Sequence, residues 1–314
     1  MTVGKAQPTI PGRSGLRVLT DSPMSLHTTW RIGGPADFLV RAGTPEDVVA
    51  AARWARDEGL PVTTIGGGSN LLVGDGGIRG LVLLVRTPGE RSEVLVKVDE
   101  HPDHVVLRVP AQAPLSWVGR YASERGWAGM DWGVGLPGTI GGATVNNAGA
   151  HGTEQIDSLE SVGILERDGA VVERPAAWLE SRYRHTRIKA SARPRPFVVL
   201  SAQFRLTRRD PAELVRLADE HADYRRQTQP TGACAGSTFA NPPGDFAGRL
   251  LEAAGLKGVA VGPVSFSTKH SNFIVNAKGG TAAEVRELIA LGRSTVSERF
   301  GIELQTEIEE IGER

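Results

Sequence analysis

The segment WGVGLPGTIGGATVNNAGAHG, residues 132–152, decides how this chain folds and what it can bind. Seven of its twenty-one residues are glycine and almost none is charged, so an ordinary helix or strand is not expected here. Glycine lacks a Cβ and accepts positive φ, which lets main-chain N–H groups approach a ligand. The asparagines add neutral hydrogen-bonding groups. The segment therefore predicts a binding loop for a phosphate-bearing cofactor.

A second glycine-rich run, IGGGSNLLVGDGG at residues 65–77, follows an apolar segment. Its main chain offers a similar row of N–H donors, and Ser69 and Asn70 add side-chain partners. Either loop alone is equally well interpreted as an irregular connection between elements. Two such loops favour ligand binding, because together they can hold one long ligand.

Both runs depart from the familiar nucleotide-binding motifs. Residues 133–138 match G-x-G-x-x-G, but Pro137 lies inside the match, and Gly141 and Gly142 follow where that motif requires a regular helix. In the run at residues 65–77, Leu71 stands in the place of the third glycine, and no G-x-x-x-x-G-K-[ST] sequence occurs in the chain. These departures argue against both a Rossmann site and a P-loop site.

Composition narrows the function further. The 314 residues include 36 Lys and Arg against 36 Asp and Glu, so the formal net charge is zero and no nucleic-acid partner is expected. The single cysteine, Cys234, excludes an internal disulfide framework and fits a reducing compartment. No apolar run approaches the roughly 18 residues of a membrane span, and the N-terminus lacks a signal pattern, so we expect a cytoplasmic protein without a membrane partner. No metal is expected, because His101 and His104 have no third ligand nearby.

The first predicted domain covers residues 21–86. The sequence TPED at residues 44–47 predicts a helix start with a capping residue, a proline and acidic residues in the first turn, and Gly59 ends that helix. Residues 1–20 show no periodicity and predict a loose arm, with order beginning near Leu26. Short strands complete a compact α/β unit, and they are expected at residues 36–41, 61–65 and 81–85.

Two further domains are predicted at residues 87–208 and 209–303. The order of strands, helix and strands makes the second domain α+β. Its strands are expected at residues 94–98, 105–109, 161–165, 171–173 and 197–206, with a helix at 114–125. The third domain is predicted to hold helices at residues 210–226, 245–254 and 281–300, the last opening with the capping box Thr281-x-x-Glu284. A final strand is predicted at Ile302 to Ile308, with residues 304–314 returning to the first domain.

Six motifs in one order carry a family resemblance. They are GGGSNLL (66–72), GLPGTIGGATVNNAGAHG (135–152), YRHT (183–186), GSTFANP (236–242), AGLKG (254–258) and STKHSNFIVN (267–276). Together they make the chain resemble the UDP-N-acetylenolpyruvoylglucosamine reductase family from about His27 to Gly312. The resemblance implies an α+β, three-domain flavoenzyme with a two-part FAD-binding region of the vanillyl-alcohol-oxidase (PCMH) type and a C-terminal α/β substrate domain.

The resemblance also implies the reaction and the cofactors. FAD is bound non-covalently, NADPH is the co-substrate, and UDP-N-acetylglucosamine enolpyruvate is reduced to UDP-N-acetylmuramate for peptidoglycan synthesis by a monomeric enzyme. Hydride passes from flavin N5 to the enolpyruvyl β-carbon. The implied FAD-binding residues are Ile65, Gly66, Gly67, Gly68, Ser69, Asn70, Leu71, Gly135, Pro137, Gly138, Thr139, Gly141, Gly142, Asn147, Ala148 and Gly149.

Three residues match the family's catalytic positions: Arg184, Ser237 and Glu307. Hydride addition turns the enolpyruvyl group into an enolate, which needs a cation at its carboxylate and a proton donor. Arg184 matches the carboxylate-binding arginine, whose planar fork suits that group. Without the family pattern, Arg182 and Arg187 are equally good candidates, and each is equally well a solvated charge.

Ser237 matches the serine that protonates the α-carbon, and Glu307 matches a glutamate that steadies the enolate or relays the proton. Taken without the resemblance, Ser237 is a turn or cap residue. Period-two alternation along the predicted last strand places Glu307 opposite the apolar residues Ile302, Leu304 and Ile308, on what is equally well a solvated face. The catalytic role requires that face to border a cleft.

Substrate contacts fall, by resemblance, on Tyr183, Asn241 and Lys269, although Lys269 is equally well an exposed loop lysine. Two positions depart from the family pattern: Ala240 replaces a common lysine, which removes one substrate contact, and Asn146 replaces a common methionine beside the flavin.

The sequence also bears on the branch of the family, on the role of Cys234 and on alternative functions. The short link between Leu206 and Pro211 leaves no room for the extra capping subdomain of one branch, so the chain resembles the shorter, type II branch, and the loop at residues 262–269 is a candidate clamp. Cys234 resembles a nucleophile but lacks a neighbouring base, so a small loop residue is the better interpretation. The rival functions are an oxidase of the wider flavin fold and a non-catalytic nucleotide-sugar or flavin sensor.

Overall fold

The computed structural model of the chain describes residues 8–13, 15–86 and 96–314. Both helices and strands occur among these residues, so the mixed α and β content expected from the sequence is present. The α-helices are α1 Pro45–Asp57, α2 Leu115–Ser123, α3 Ile140–Asn146, α4 Arg187–Ala190, α5 Pro211–Thr228, α6 Ala247–Ala253 and α7 Ala282–Phe300.

The strands vary from two to twelve residues among the described residues. They are β1 Val18–Pro23, β2 Pro35–Ala42, β3 Val62–Ile65, β4 Leu71–Val73, β5 Ile78–Val85, β6 Lys97–Glu100, β7 His104–Pro110, β8 Trp127–Ala128, β9 Gly149–Ala150, β10 Thr153–Glu154, β11 Leu159–Glu166, β12 Val171–Pro175, β13 Phe197–Arg208, β14 Ala233–Cys234, β15 Ala260–Val261, β16 Val264–Phe266, β17 Ile274–Asn276 and β18 Glu309–Ile311.

The chain divides into two compact units. Unit 1 takes the described residues of Met1–Asp21, Phe38–Gly67 and Gly80–Asp223, and unit 2 takes Ser22–Asp37, Gly68–Arg79 and Tyr224–Arg314. Each unit has a hydrophobic core of its own. The three-domain division at residues 21–86, 87–208 and 209–303 stays a prediction.

Unit 1 contains an antiparallel sheet in the order β12-β11-β13-β7-β6, with β8 added to β13. Its long central strand pairs Ala202 with Val109 and Val162, so apolar side chains of neighbouring strands share one face. Phe204 and Leu107 are fully buried in this core. A second sheet has the order β1-β2-β5-β3, in which β3 runs parallel to β5. Helix α1 begins at its predicted cap, because the Thr44 side chain accepts a hydrogen bond from the Asp47 N–H.

Unit 2 is built from a small antiparallel sheet and the long helix α7. The sheet order is β14-β17-β16-β15. Helix α7 has the predicted capping box between Thr281 and Glu284, which confirms that expectation. Asp75 adds a second cap, because its carboxylate accepts the Ala282 and Ala283 N–H groups at 2.8 and 3.0 Å. Among the described residues, no helix has both the length and the apolar character needed to cross a bilayer.

The N-terminal region differs from its prediction. Order begins well before Leu26, because β1 starts at Val18 and Thr9 forms a bridge with Arg17. Ile10 is buried in the core of unit 1, so the described part of this arm is anchored by an apolar side chain. The strand predicted at residues 94–98 lies partly outside the described residues, and β6 occupies Lys97–Glu100.

The predicted strand from Ile302 to Ile308 is wrong. Residues 302–305 are irregular, and the strand at this end of the chain is β18, which pairs in parallel with β4. Leu304 and Ile308 are buried as the alternation required, but an isolated bridge between Thr306 and Phe239 fixes this segment instead of a ladder. Period-two burial thus occurs here without a regular strand.

Candidate functional site

The glycine-rich segment contains a helix that its composition argued against. Helix α3 begins after Thr139, whose side chain caps the helix by accepting the Gly142 N–H. Gly141 lies so close to Ala111 that a Cβ would stand 2.9 Å from the Ala111 Cβ. Glycine is therefore required in this helix by close packing, and the expectation that no helix forms here is wrong for residues 140–146.

The start of α3 is nevertheless not a phosphate-binding helix terminus. The Ile140 N–H donates to the Ala113 carbonyl at 2.9 Å, and the Gly141 N–H donates to the Ala111 carbonyl at 2.8 Å. With the Gly142 N–H bonded to Thr139, the first donors of the helix are used by the protein itself. A Rossmann-type pyrophosphate site is excluded on this ground rather than by the absence of a helix.

The two glycine loops meet inside unit 1. A Cβ on Gly67 would lie 2.9 Å from the Gly138 Cα, and a Cβ on Gly66 would overlap the Thr139 hydroxyl. Gly138 itself has φ +106°, a conformation that L side chains rarely adopt. The two loops therefore pack closely against each other at Gly67 and Gly138.

Main-chain donors remain available where the loops meet. Among the described residues, no acceptor serves the N–H groups of Gly66, Gly67, Gly138 or Thr139, all of which lie in unit 1. Unpaired donors at a glycine-lined surface form a cradle for phosphate oxygens. These residues fit the diphosphate of FAD.

The other predicted FAD-binding residues are used differently. The Gly135 N–H donates to the Ser116 hydroxyl at 2.8 Å, and Leu71 pairs with Glu309 in the β4–β18 ladder. In the second half of the run at residues 65–77, Gly77 packs against the Pro35 backbone. That half follows the alternative interpretation, in which its glycines form a tight structural connection.

Asn147 ends α3 in the left-handed conformation, with φ 43°. Its side chain donates to Glu154 at 2.7 Å and to the Arg182 carbonyl at 3.2 Å, and it accepts the Ile156 N–H at 3.1 Å. The Ala148 N–H donates to the Ala143 carbonyl, which closes the helix end. Asn147 thus joins the glycine segment to the turn that carries Arg184.

Arg184 lies at the tip of a tight turn. Arg182 and His185 exchange two main-chain hydrogen bonds of 3.0 and 2.9 Å, so the two residues between them must reverse the chain. Arg184 has φ 54°, which is uncommon for a residue with a side chain and costs on the order of 1 kcal/mol. Residues with backbone strain of this kind are found more often at functional sites.

The Arg184 guanidinium is directed at the glycine-rich segment of residues 132–152. It donates to the Gly149 carbonyl at 2.8 Å and to the Asn147 carbonyl at 3.4 Å, and it stands 3.9 Å from a Glu154 carboxylate oxygen. Only a fifth of its side chain is exposed. Arg187, by contrast, pairs with Glu180 and is twice as exposed. Among the three candidate arginines, this environment favours Arg184.

Ser237 lies in unit 2, in a loop that we define as residues 236–241. Asn272 is the main partner of this loop. Its carbonyl accepts the Thr238 N–H at 2.7 Å, its Oδ1 accepts the Phe239 N–H at 2.9 Å, and its Nδ2 donates to the Phe239 carbonyl at 2.8 Å. Ser237 is partly buried, and its hydroxyl makes no cap or turn bond to the described residues.

Glu307 is held against the same loop. Its N–H donates to the Thr238 carbonyl at 2.9 Å, and its own carbonyl accepts from the Asn70 side chain at 3.3 Å. Glu307 is partly buried rather than on an open face. The structure therefore brings Ser237, Glu307 and Asn70 into one part of unit 2, while Arg184 and Tyr183 lie in unit 1.

The two other predicted substrate-binding residues of unit 2 have structural partners. Asn241 accepts the Ala247 N–H at the start of α6, and Lys269 is exposed and donates to the Arg226 carbonyl at 2.5 Å. Burial raises the pKa of the Cys234 thiol, which argues against a thiolate nucleophile even though Arg225 opposes the shift.

Two structural features were missed by reasoning from the sequence. Asn272 bonds the 236–241 loop and Asp75 caps α7, each through partners distant in sequence, so no local pattern marks them. Among the described residues, no group of three or more His, Cys, Asp or Glu side chains is placed to hold a metal ion.

Comparison with known proteins gives two domain matches. The FAD binding domain matches residues 36–174, and the C-terminal domain of UDP-N-acetylenolpyruvoylglucosamine reductase matches residues 228–311. The predicted α+β fold with an FAD-binding region followed by this C-terminal domain is confirmed.

Curated relatives and a solved structure agree with these matches. The chain is 41% identical to the UDP-N-acetylenolpyruvoylglucosamine reductase of Chloroflexus aurantiacus over 92% of this chain and 95% of the relative. It is 43% identical to that of an Anaeromyxobacter species over 94% and 89%. The crystal structure of the Thermus caldophilus reductase matches with a TM-score of 0.75 and 31% identity, over 94% of this chain and 98% of that chain. The chain therefore belongs to the UDP-N-acetylenolpyruvoylglucosamine reductase family, whose members are oxidoreductases of peptidoglycan precursor synthesis.

Proposed function

We propose that this chain uses NADPH and non-covalently bound FAD to reduce UDP-N-acetylglucosamine enolpyruvate to UDP-N-acetylmuramate in the cytoplasm. The observation that carries the proposal is the joining of the 236–241 loop to the Glu307 segment in unit 2, since these are the two segments that bear the proposed proton donor and the proposed acid. The Glu307 N–H donates to the Thr238 carbonyl, and Thr306 forms a bridge with Phe239, so the two segments lie side by side.

FAD would be held through its phosphates by the unpaired N–H groups where the glycine loops meet. Gly66, Gly67, Gly138 and Thr139 supply these donors in unit 1, and Ser69 follows in the same loop. When bound, FAD supplies the capacity to accept hydride from NADPH and to pass it to the substrate.

Arg184 would bind the carboxylate of the enolpyruvyl group. Its guanidinium is always charged and offers a planar fork, so it stabilises the negative charge that develops when hydride adds to the β-carbon. The Asn147 and Gly149 carbonyls orient it before substrate arrives. Tyr183, which stacks its ring 4.9 Å from that guanidinium, would pack against the same group.

Ser237 would donate the proton to the α-carbon of the enolate. A serine hydroxyl is a weak acid, so it can donate only to a strongly basic carbon held close to it. Glu307 would steady the enolate or return the proton to Ser237. Asn241 and Lys269 would contact the diphosphate and sugar, and we keep a monomeric assembly as part of the proposal.

The experiment combines the purified protein with NADPH and UDP-N-acetylglucosamine enolpyruvate in air. The proposal predicts a product heavier than the substrate by two hydrogens, formed in equal amount to the NADPH consumed. An oxidase of the wider flavin fold would instead form hydrogen peroxide without this product. A sensor would consume no NADPH.

A further inference from the structure

Asn272 is one of the most completely hydrogen-bonded side chains near the proposed proton donor. It is 3% exposed, and both ends of its amide bond the main chain of Phe239 at 2.9 and 2.8 Å. Its own carbonyl accepts the neighbouring Thr238 N–H at 2.7 Å. A buried amide satisfied at both ends holds its partner in one position, because releasing either bond leaves a polar group unpaired.

We infer that Asn272 is a positioning residue that fixes the Ser237 hydroxyl for proton transfer. It does so by hydrogen bonding Thr238 and Phe239, the two residues that follow Ser237. The inference rests on the proposed role of Ser237. Asn272 itself makes no bond to Ser237 among its described contacts, so it acts through the backbone of Thr238 and Phe239.

The local geometry explains why the Asn272 hydrogen bonds matter for the position of Ser237. Gly236, on the other side of Ser237, has φ +74°, and a Cβ there would meet only the Ser69 carbonyl oxygen, at 4.0 Å. The restraint comes from the residues after Ser237, which lie between two partners. On one side Asn272 bonds Thr238 and Phe239, and on the other side Glu307 donates to the Thr238 carbonyl.

This arrangement links Ser237, the proposed proton donor, to Glu307 through the main chain of Thr238. Because Thr238 bonds Asn272 through its N–H and Glu307 through its carbonyl, movement of one partner displaces the loop relative to the other. A displacement of about 1 Å at a reacting group can cost on the order of a hundredfold in rate. Loss of the Asn272 amide should therefore slow proton transfer without removing any group that touches substrate.

The chain supplies a matched control four positions later. Asn276 is 6% exposed, donates to the Trp30 carbonyl at 2.9 Å and accepts the Gly280 N–H at 3.0 Å. It is thus an asparagine of similar burial, also bonded at both ends, in the same sequence motif. Its partners lie outside the 236–241 loop, so its loss tests the general effect of removing a buried amide.

The experiment compares Asn272→Ala, Asn276→Ala and Ser237→Ala as FAD-loaded proteins. Stopped-flow absorbance without oxygen measures flavin reduction by NADPH and then flavin reoxidation by UDP-N-acetylglucosamine enolpyruvate. Urea unfolding of each protein is recorded alongside. If Asn272→Ala does not fold, Asn272→Ser, which keeps a hydroxyl in the cavity, takes its place.

The inference predicts that both asparagine variants lose similar stability and reduce at the wild-type rate, while only the Asn272 variant reoxidises between about ten and a hundredfold more slowly. Equal reoxidation rates for the two asparagine variants would overturn it. A Ser237→Ala protein that reoxidises at the wild-type rate would instead overturn the proposed role of Ser237. The two failures are therefore distinguishable.

Discussion

Two adjacent glycines in α3 should respond in opposite ways to the same substitution. A Cβ on Gly141 would lie 2.9 Å from the Ala111 Cβ and 3.3 Å from its carbonyl oxygen. A Cβ on Gly142 would meet only the Thr139 hydroxyl oxygen, at an ordinary 3.6 Å. Neither glycine has a positive φ, so the comparison isolates packing from backbone strain.

The expected magnitudes follow from these distances. Replacing a helical glycine with alanine stabilises the helix by about 1 kcal/mol, and this gain is common to both sites. Overpacking against Ala111 costs typically about 1–3 kcal/mol, and only Gly141→Ala incurs it. Gly142→Ala should therefore be neutral or stabilising, and the free energies of unfolding of the two variants should differ by about 1–3 kcal/mol.

Urea unfolding of the two apoproteins, followed by far-ultraviolet circular dichroism, measures this difference without a contribution from FAD binding. FAD affinity is then measured separately by fluorescence quenching. The reasoning is refuted if Gly142→Ala is as destabilising as Gly141→Ala, because the close contact with Ala111 would then not be the reason for glycine at residue 141.

Three further predictions follow from particular contacts. Asp75→Ala should destabilise the protein by about 0.5–2 kcal/mol, because two N–H groups at the start of α7 lose their acceptor. Urea unfolding should show a smaller loss of stability for Asp75→Asn. Equal losses for the two variants would contradict a capping role. Burial lowers the pKa of His270 below its ordinary value of 6.5, and its Nδ1 accepts the Asn272 N–H, so the neutral form is favoured in the folded state. The stability that neutral His270 contributes should be complete above about pH 6.5, and it should be lost as the pH falls toward the lower pKa of the folded state. His270→Asn should remove this pH dependence from a series of urea unfolding midpoints. An unchanged pH dependence would mean that other groups cause it. Arg184→Lys should slow flavin reoxidation by substrate by about tenfold or more and leave reduction by NADPH unchanged, whereas Arg187→Lys should change neither rate; equal effects of the two substitutions on these stopped-flow rates would remove the distinction between them.

Local signals predicted the elements that depend on local chemistry. Helix α1 starts at the predicted TPED sequence, and α7 starts at the predicted capping box, because a cap is formed by residues within one turn of the helix end. Strand β13 ends at Arg208 and α5 begins at Pro211, so the short link expected of the type II branch is present.

The failures have a common physical cause. Gly141 is tolerated in α3 because Ala111, thirty residues earlier, packs against it, and composition alone does not record that contact. The prediction of the last strand was wrong because Leu304 and Ile308 are buried within an irregular segment, which a bridge from Thr306 to Phe239 holds in place. Tertiary contacts overrode the local pattern in both segments.

The candidate site shows the same contrast between features that a sequence motif marks and features that depend on tertiary contacts. Arg184, Ser237 and Glu307 are proposed through motifs shared with a family, since their residue types alone left solvated or structural roles open. Asn272 was not found, because its partner in the loop is 33 residues away and an asparagine in a loop carries no distinctive signal. Residues that position a catalytic group through the backbone are visible only in the folded chain.

The most direct test of the proposed function is a visible spectrum of the purified protein recorded without oxygen in two steps. The account predicts flavin absorption bands that bleach on addition of NADPH and return only when UDP-N-acetylglucosamine enolpyruvate is added. A colourless protein that takes up no FAD, or reduced flavin that this substrate does not reoxidise, would contradict it.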